Sequence, residues 1–191
     1  MVRFQIRAAV IAFLASAGAL AFCGEAWSDI HGNGAGGQPF SVTCPPGTFV
    51  TGITGRAGNI IENMQLECAG FDKTENNTNF QTKPPFPQGS IMGAGQGGSD
   101  IKPGDARCGG GTFVKEIRFN TRVFNDLPLI ESIRLERRDL QGGSSTHLFG
   151  NAETAQGQFI EKCPGKDFVV GLAGRVGLFV DAVGPVCAVM P

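Results

Sequence analysis

The stretch Cys163-Pro-Gly-Lys-Asp-Phe-Val-Val-Gly-Leu-Ala-Gly-Arg-Val-Gly177, continuing Leu-Phe-Val-Asp-Ala-Val-Gly-Pro-Val-Cys187, has a counterpart earlier in the chain. Residues Cys44-Pro-Pro-Gly-Thr-Phe-Val-Thr-Gly-Ile-Thr-Gly-Arg-Ala-Gly58, continuing Asn-Ile-Ile-Glu-Asn-Met-Gln-Leu-Glu-Cys68, align with it without a gap at a constant offset of 119 residues. Both cysteines, the Phe-Val pair, Gly-Arg-x-Gly and the acid at Glu62 or Asp181 coincide. Such self-similarity marks an internally repeated architecture. A third, more worn copy lies between them. Cys108-Gly-Gly-Gly-Thr-Phe-Val114 matches Cys44 to Val50, and Leu129-Ile-Glu-Ser-Ile-Arg-Leu-Glu136 matches Ile60 to Glu67. Five extra residues, in Arg122 to Pro128, replace the glycine turn, and Arg137 stands where the second cysteine would be.

Each copy reads as a β-hairpin. Ile117 and Phe119 alternate with Arg118 and Asn120, Ile133 and Leu135 with Arg134 and Glu136, and Met64 and Leu66 with Gln65 and Glu67. Period two is the mark of strands with one buried face, and the glycines of Gly-Arg-x-Gly supply the turn. Three sheets with one apolar face each bury those faces by meeting around a common axis. The expectation is an all-β, three-sided prism of antiparallel sheets over about residues 30–191. Its repeats are placed at about 38–71, 101–140 and 145–191, with a long surface loop at 72–100.

Composition agrees. The chain has 191 residues with 29 glycines, 11 prolines, 15 phenylalanines and no tyrosine, a mixture suited to short strands and tight turns. At 41% apolar residues it can build a core, and a formal charge of −1 gives no basic footprint for nucleic acid or an anionic membrane. Arg3 and Arg7 followed by the apolar run Ala8 to Phe22 read as a secretory signal peptide at 1–26, with small-x-small cleavage points after Ala21 or Ala26. The run is short for a bilayer span, and no transmembrane segment is expected elsewhere. The protein is therefore expected to be secreted or periplasmic, where spaced cysteines are disulfides more often than metal ligands. Cys44 with Cys68 and Cys163 with Cys187, equally spaced within two like repeats, are expected to form two local bridges. Cys108 is left as a lost half-bridge, or as a partner for Cys23 if cleavage follows Ala21. Asn76-Asn77-Thr78 is a glycosylation sequon in a host that glycosylates.

No motif for catalysis stands out. The two histidines, His31 and His147, lack metal-ligand spacing, and no Gly-x-Ser-x-Gly or His-Glu-x-x-His run occurs. Carboxylate pairs for glycoside hydrolysis are set in three dimensions and leave no spacing signature. The expectation is a non-enzyme without metal or cofactor.

The segment Gly171-Leu-Ala-Gly-Arg-Val-Gly-Leu-Phe-Val-Asp-Ala-Val-Gly184 resembles the closing hairpin of the jacalin-related lectins. The disulfide-linked character is similar to the vitelline membrane outer layer proteins. Both resemblances imply a type I β-prism. The lectin resemblance implies a sugar site whose first wall is Gly177, Leu178, Phe179, Val180 and Asp181. Its second wall would be the Gly32-Asn-Gly-Ala-Gly-Gly37 loop, with Gly36 and Gly37 as the binding residues. A carboxylate accepts hydrogen bonds from adjacent sugar hydroxyls, and a glycine loop offers backbone N–H donors. The expected partner is a neutral glycan or glycoconjugate, with a second copy of the chain as the other candidate.

Two readings remain open at each acid. Asp181, Glu62 and Glu131 occupy equivalent places in the three repeats, so each is a candidate sugar acceptor. Arg56 lies six residues before Glu62 and Arg175 six before Asp181, so each acid could instead bridge its own hairpin. For Glu62 and Glu131 the structural role is favoured. A free Asp181 carboxylate supports glycan binding; an Arg175–Asp181 bridge supports a disulfide-stiffened structural or coat protein that binds no sugar.

Overall fold

The computed structural model describes residues 26–27, 29–72, 81–82, 86–95, 99–101, 112–139, 142–151 and 156–189. All of the signal segment but Ala26, together with Cys23, Cys108 and the sequon, falls outside them. In chain order the strands are β1 (Ala26–Trp27), β2 (His31–Gly32), β3 (Gln38–Thr43), β4 (Thr48–Ala57) and β5 (Ile61–Asp72). Then come β6 (Gln81–Thr82), β7 (Phe86–Met92), β8 (Ser99–Ile101), β9 (Thr112–Phe124) and β10 (Leu127–Asp139). The chain closes with β11 (Ser144–Gly150), β12 (Gly157–Lys162), β13 (Asp167–Val176) and β14 (Val180–Val189). Among the described residues there is no helix, and so none that is long and apolar enough to cross a membrane.

Three antiparallel sheets result, each built on one of the repeated hairpins. The hairpin β4–β5 is flanked by β8 on one side and by β7 and β6 on the other. The hairpin β9–β10 is flanked by β12 and β11, and β13–β14 by β3 and by β1 and β2. The repeats match down to their irregularities. The strand register slips once after each Phe-Val pair, between Val50 and Gly52, Val114 and Glu116, and Val169 and Gly171. A bulge of this kind bends the strand and raises its twist, which lets each sheet curve around the axis.

The alternating apolar residues meet as expected. Val50, Ile53, Met64 and Leu66 of the first sheet pack with Ile117, Phe119, Ile133 and Leu135 of the second and with Val169, Leu172, Val180 and Val183 of the third. Removing such side chains from water stabilises by about 1.5–3 kcal/mol each. The Phe of each Thr-Phe-Val or Asp-Phe-Val start forms a second cluster at one end of the prism. Phe113 meets Phe168 edge to face at 4.3 Å, and Phe49 lies 6.5 Å from Phe168. The disulfides Cys44–Cys68 and Cys163–Cys187 are formed, with Cα–Cα separations of 5.7 and 5.6 Å.

Two expectations are corrected. The stretch 72–100, read as a surface loop, contributes β6 and β7 beside β5 and β8 beside β4. Its prolines disguised it: Pro87 lies inside β7 opposite Glu67, and β7 is an outer strand, where a missing N–H is tolerated. The repeat boundaries are also shifted. β3, placed with the first repeat, pairs instead with β13, while β11 and β12, placed with the third, belong to the middle sheet. The strands flanking the last hairpin thus come from the start of the chain, and this closes the prism.

The five extra residues of the middle repeat lengthen its hairpin. β9 and β10 run on to a two-residue turn at Asn125 and Asp126, with φ of 50° and 63°. Positive φ at both positions is the geometry of a type I′ turn, whose twist suits a hairpin.

Candidate functional site

The third hairpin turns through Gly177, Leu178 and Phe179, and the turn is closed by a bond from Gly177 N–H to the Phe179 carbonyl at 3.0 Å. Val180 then points into the core, and Asp181 is the extra residue of a bulge: Val180 lies opposite Val176 and Ala182 opposite Arg175, so the register passes Asp181 by. Phe179 does not stand free: its ring meets Phe124 of the lengthened middle hairpin at 5.6 Å, nearly perpendicular. Leu178 is 61% exposed at the tip.

The N-terminal glycine loop reaches this turn because β2 pairs with β14. Gly32 lies opposite Ala182, and Asn33 N–H donates to the Asp181 carbonyl at 2.8 Å. Asn33 then folds the loop on itself, accepting from Ala35 N–H at its side chain (3.2 Å) and from Gly36 N–H at its backbone (3.2 Å). Gly36 and Gly37 come to rest on the Asp181 side chain. A Cβ on Gly36 would approach Oδ1 to 2.8 Å, and one on Gly37 would overlap Oδ2. Only glycine permits so close an approach. The two loops, far apart in sequence, therefore meet around one carboxylate.

Arg175 makes its hydrogen bonds to the glycine loop. Its Nε donates to the Gly36 carbonyl and its Nη2 to the Gly37 carbonyl at 2.9 Å. The guanidinium thus holds the glycine loop, and among the described residues no ion pair engages Asp181. Oδ2 is buried without a hydrogen-bond partner, a property it shares with Oε2 of Glu62. Burial raises the Asp181 pKa above the ordinary aspartate range, opposed by the attraction of Arg175 and by the Gly177 N–H. A desolvated acid with unused acceptor capacity, between two loops, is the kind of group that marks a functional site.

The other two acids share the backbone plan but not this exposure to glycine. All three are buried, and in each sheet a glycine of positive φ packs on the acid's carbonyl: Gly32 on Asp181, Gly93 on Glu62 and Gly150 on Glu131. The first hairpin also repeats the turn bond, from Gly58 N–H to the Ile60 carbonyl at 3.0 Å. At Glu62, however, Gly95 covers the aliphatic part: its Cβ would meet Glu62 Cβ at 2.7 Å and Cγ at 3.1 Å. Gly95 is fixed there by Asn63 Nδ2, which donates to its carbonyl at 2.8 Å. Glu131 is fully buried, with Arg122 Nη1 at 3.9 Å from its Oε1.

Gly36, Gly37, Gly177 and Asp181 are thus brought together, Leu178 and Phe179 form the rim, and Val180 offers only its backbone. The roles of Asn33 and of Arg175 as loop holders were not anticipated. Their signal was present in the Asn-Gly of the loop and in the arginine of Gly-Arg-x-Gly, but which carbonyls they meet depends on the long-range pairing of β2 and β14. A groove of about 540 Å³ runs beside the loop, lined by Ile30, Gly34, Pro39, Phe40 and Arg175 among others. Among the described residues no group of three or more His, Cys, Asp or Glu side chains is placed to hold a metal ion.

No family model and no curated protein matches the chain by sequence. Solved structures do match by shape. A Malaysian banana lectin is 18% identical, with a TM-score of 0.57 over 86% of this chain and 98% of its own. A mannose-specific jacalin-related lectin from Morus nigra, in complex with mannose, is 15% identical, with a TM-score of 0.59 over 88% of this chain and 97% of its own. Calsepa lectin in complex with a biantennary N-glycan is 18% identical, with a TM-score of 0.59 over 87% of this chain and 98% of its own. With three sheets about one axis and this relationship in shape, the chain has the type I β-prism fold of the jacalin-related lectins.

Proposed function

We propose that this protein is a secreted, non-enzymatic lectin that binds a neutral glycan at Asp181. The observation that carries the reading is the placement of Gly36 and Gly37 on the Asp181 carboxylate, while Arg175 makes its hydrogen bonds to the loop carbonyls. In this reading Asp181 accepts hydrogen bonds from two neighbouring sugar hydroxyls, and N–H groups of the glycine loop donate in return. Charge-assisted bonds of this type contribute roughly 1.5–3 kcal/mol each. Leu178 and Phe179 offer apolar surface for the C–H face of the sugar, a role no tyrosine is present to fill. Mannose-type sugars are the first candidates, because two of the similar structures hold mannose or an N-glycan. The two disulfides and the apolar N-terminal run fit an exported protein.

A glycan-array screen of the oxidised protein tests this reading. A defined set of hits is expected, and the same hits should be lost from an Asp181→Ala array. A blank array from folded protein overturns the reading and leaves the disulfide-stiffened structural protein in its place.

A further inference from the structure

His31 immediately precedes the glycine loop and belongs to none of the repeated motifs. Its backbone pairs with Val183 in the third sheet, but its imidazole crosses to β12 in the second. There Nε2 donates to Glu161 Oε1 at 2.6 Å, across 130 residues of sequence. The ring stacks on Phe159 at 4.3 Å between centroids and 14° between planes, and Phe119 lies 6.1 Å away. Both polar side chains are mostly buried, at 17% and 19% exposure.

β2 is only two residues long, so its own ladder is a weak anchor. Yet the next two residues set the wall of the candidate site: Gly32 packs on the Asp181 carbonyl, and Asn33 donates to it. The geometry points to His31 as a positioning residue whose bond to Glu161 holds the Gly32–Gly37 wall against Asp181, more tightly when the imidazole is protonated. A neutral imidazole N–H already makes a charge-assisted bond to the Glu161 carboxylate, and protonation adds the attraction between opposite charges, modest for a pair that is not fully buried. Histidine is the side chain that changes charge near physiological pH.

The surroundings isolate this pair. Among the described residues, β9 presents Phe119 to the ring, β10 presents Ile130 beside Gly32, and Val183 faces His31 from β14. Glu161 is the charged group set against the imidazole. Lys162, next along β12, lies instead near Lys115, and Asp29 is exposed on the approach to β2. The consequence for affinity rests on the glycan reading of Asp181, whereas the effect on the loop needs no ligand.

The test is backbone amide exchange of the oxidised protein, corrected for intrinsic rates, at about pH 6 and about pH 8, with mannose titrations at both values. Residues 32–37 should be about two- to fivefold better protected at the lower pH in the wild type. His31→Gln keeps a neutral donor to Glu161, so its loop should show the weaker protection at both pH values. Glu161→Gln should do the same. A wild-type loop equally protected at both pH values overturns the proposal. So does a pH response that survives in both variants, or a loss of protection spread over the whole chain. If mannose fails to bind while the loop responds, the positioning role stands and the mannose reading fails. If mannose binds with an unresponsive loop, the reverse holds.

Discussion

Gly37 rests on the Asp181 carboxylate so closely that a methyl group in its place would overlap both Oδ2 and the Val176 carbonyl. Its φ of +48° adds a second reason for glycine, since a side chain in that region costs about 1–2 kcal/mol. Gly37→Ala should therefore displace the loop and weaken glycan binding at least about tenfold, together with that loss of stability. Gly34 in the same loop has nothing within 4 Å of its Cβ position. Gly34→Ala is thus the control expected to leave both properties unchanged, and titration calorimetry with thermal melts on the two variants checks the contrast.

Keeping Asp181 charged while burying it has a cost in stability. Its raised pKa means that the fold favours the protonated form. The stability tied to that proton is full below the ordinary aspartate range and is lost as pH rises through the raised value. Asp181→Asn should therefore melt above the wild type at neutral pH, with the gap closing as pH falls into the aspartate range. Glycan affinity of the wild type should fall on acidification sooner than an ordinary aspartate would require. A melting difference that does not change with pH would contradict this.

Each disulfide closes a loop between cysteines 24 residues apart. The chain-entropy estimate assigns roughly 3.5 kcal/mol to each. In a chain of this size, replacing Cys163 and Cys187 by alanine should lower the melting temperature by about 7–14 °C. Scanning calorimetry with and without reductant provides the companion measurement, and equal melting temperatures would count against both bridges.

The phenylalanine cluster lies far from the site. Phe168 and Val176 are eight positions apart along β13, about 26 Å of extended strand. Phe168→Ala should cost about 3 kcal/mol of stability through the lost edge-to-face contact with Phe113 and the cavity left behind. It should leave glycan affinity unaltered, so chemical denaturation and binding measurements on this variant separate stability from recognition.

The hairpins were legible because period-two patterning and a gapless internal match are local signals, and Ile117, Phe119, Ile133 and Leu135 are all in the core. The cysteine pairs were legible for the same reason. The strand Phe86–Met92 was not, because Pro84, Pro85 and Pro87 read as loop and nothing in the sequence tells an outer strand from an excursion. The placement of Gly36 and Gly37 on Asp181 came from resemblance alone. Physically it depends on β2 reaching β14, a pairing between the two ends of the chain. The His31–Glu161 bond is less visible still, since a lone histidine and a glutamate 130 residues apart share no pattern until two sheets bring them together.

The most direct test of the glycan reading is the affinity of Asp181→Ala for a glycan that the wild-type protein binds, measured by titration calorimetry at neutral pH. Loss of the charge-assisted bonds predicts a decrease of about 10- to 150-fold in a variant that remains folded. An unchanged affinity in a folded variant would contradict the account and move recognition away from Asp181.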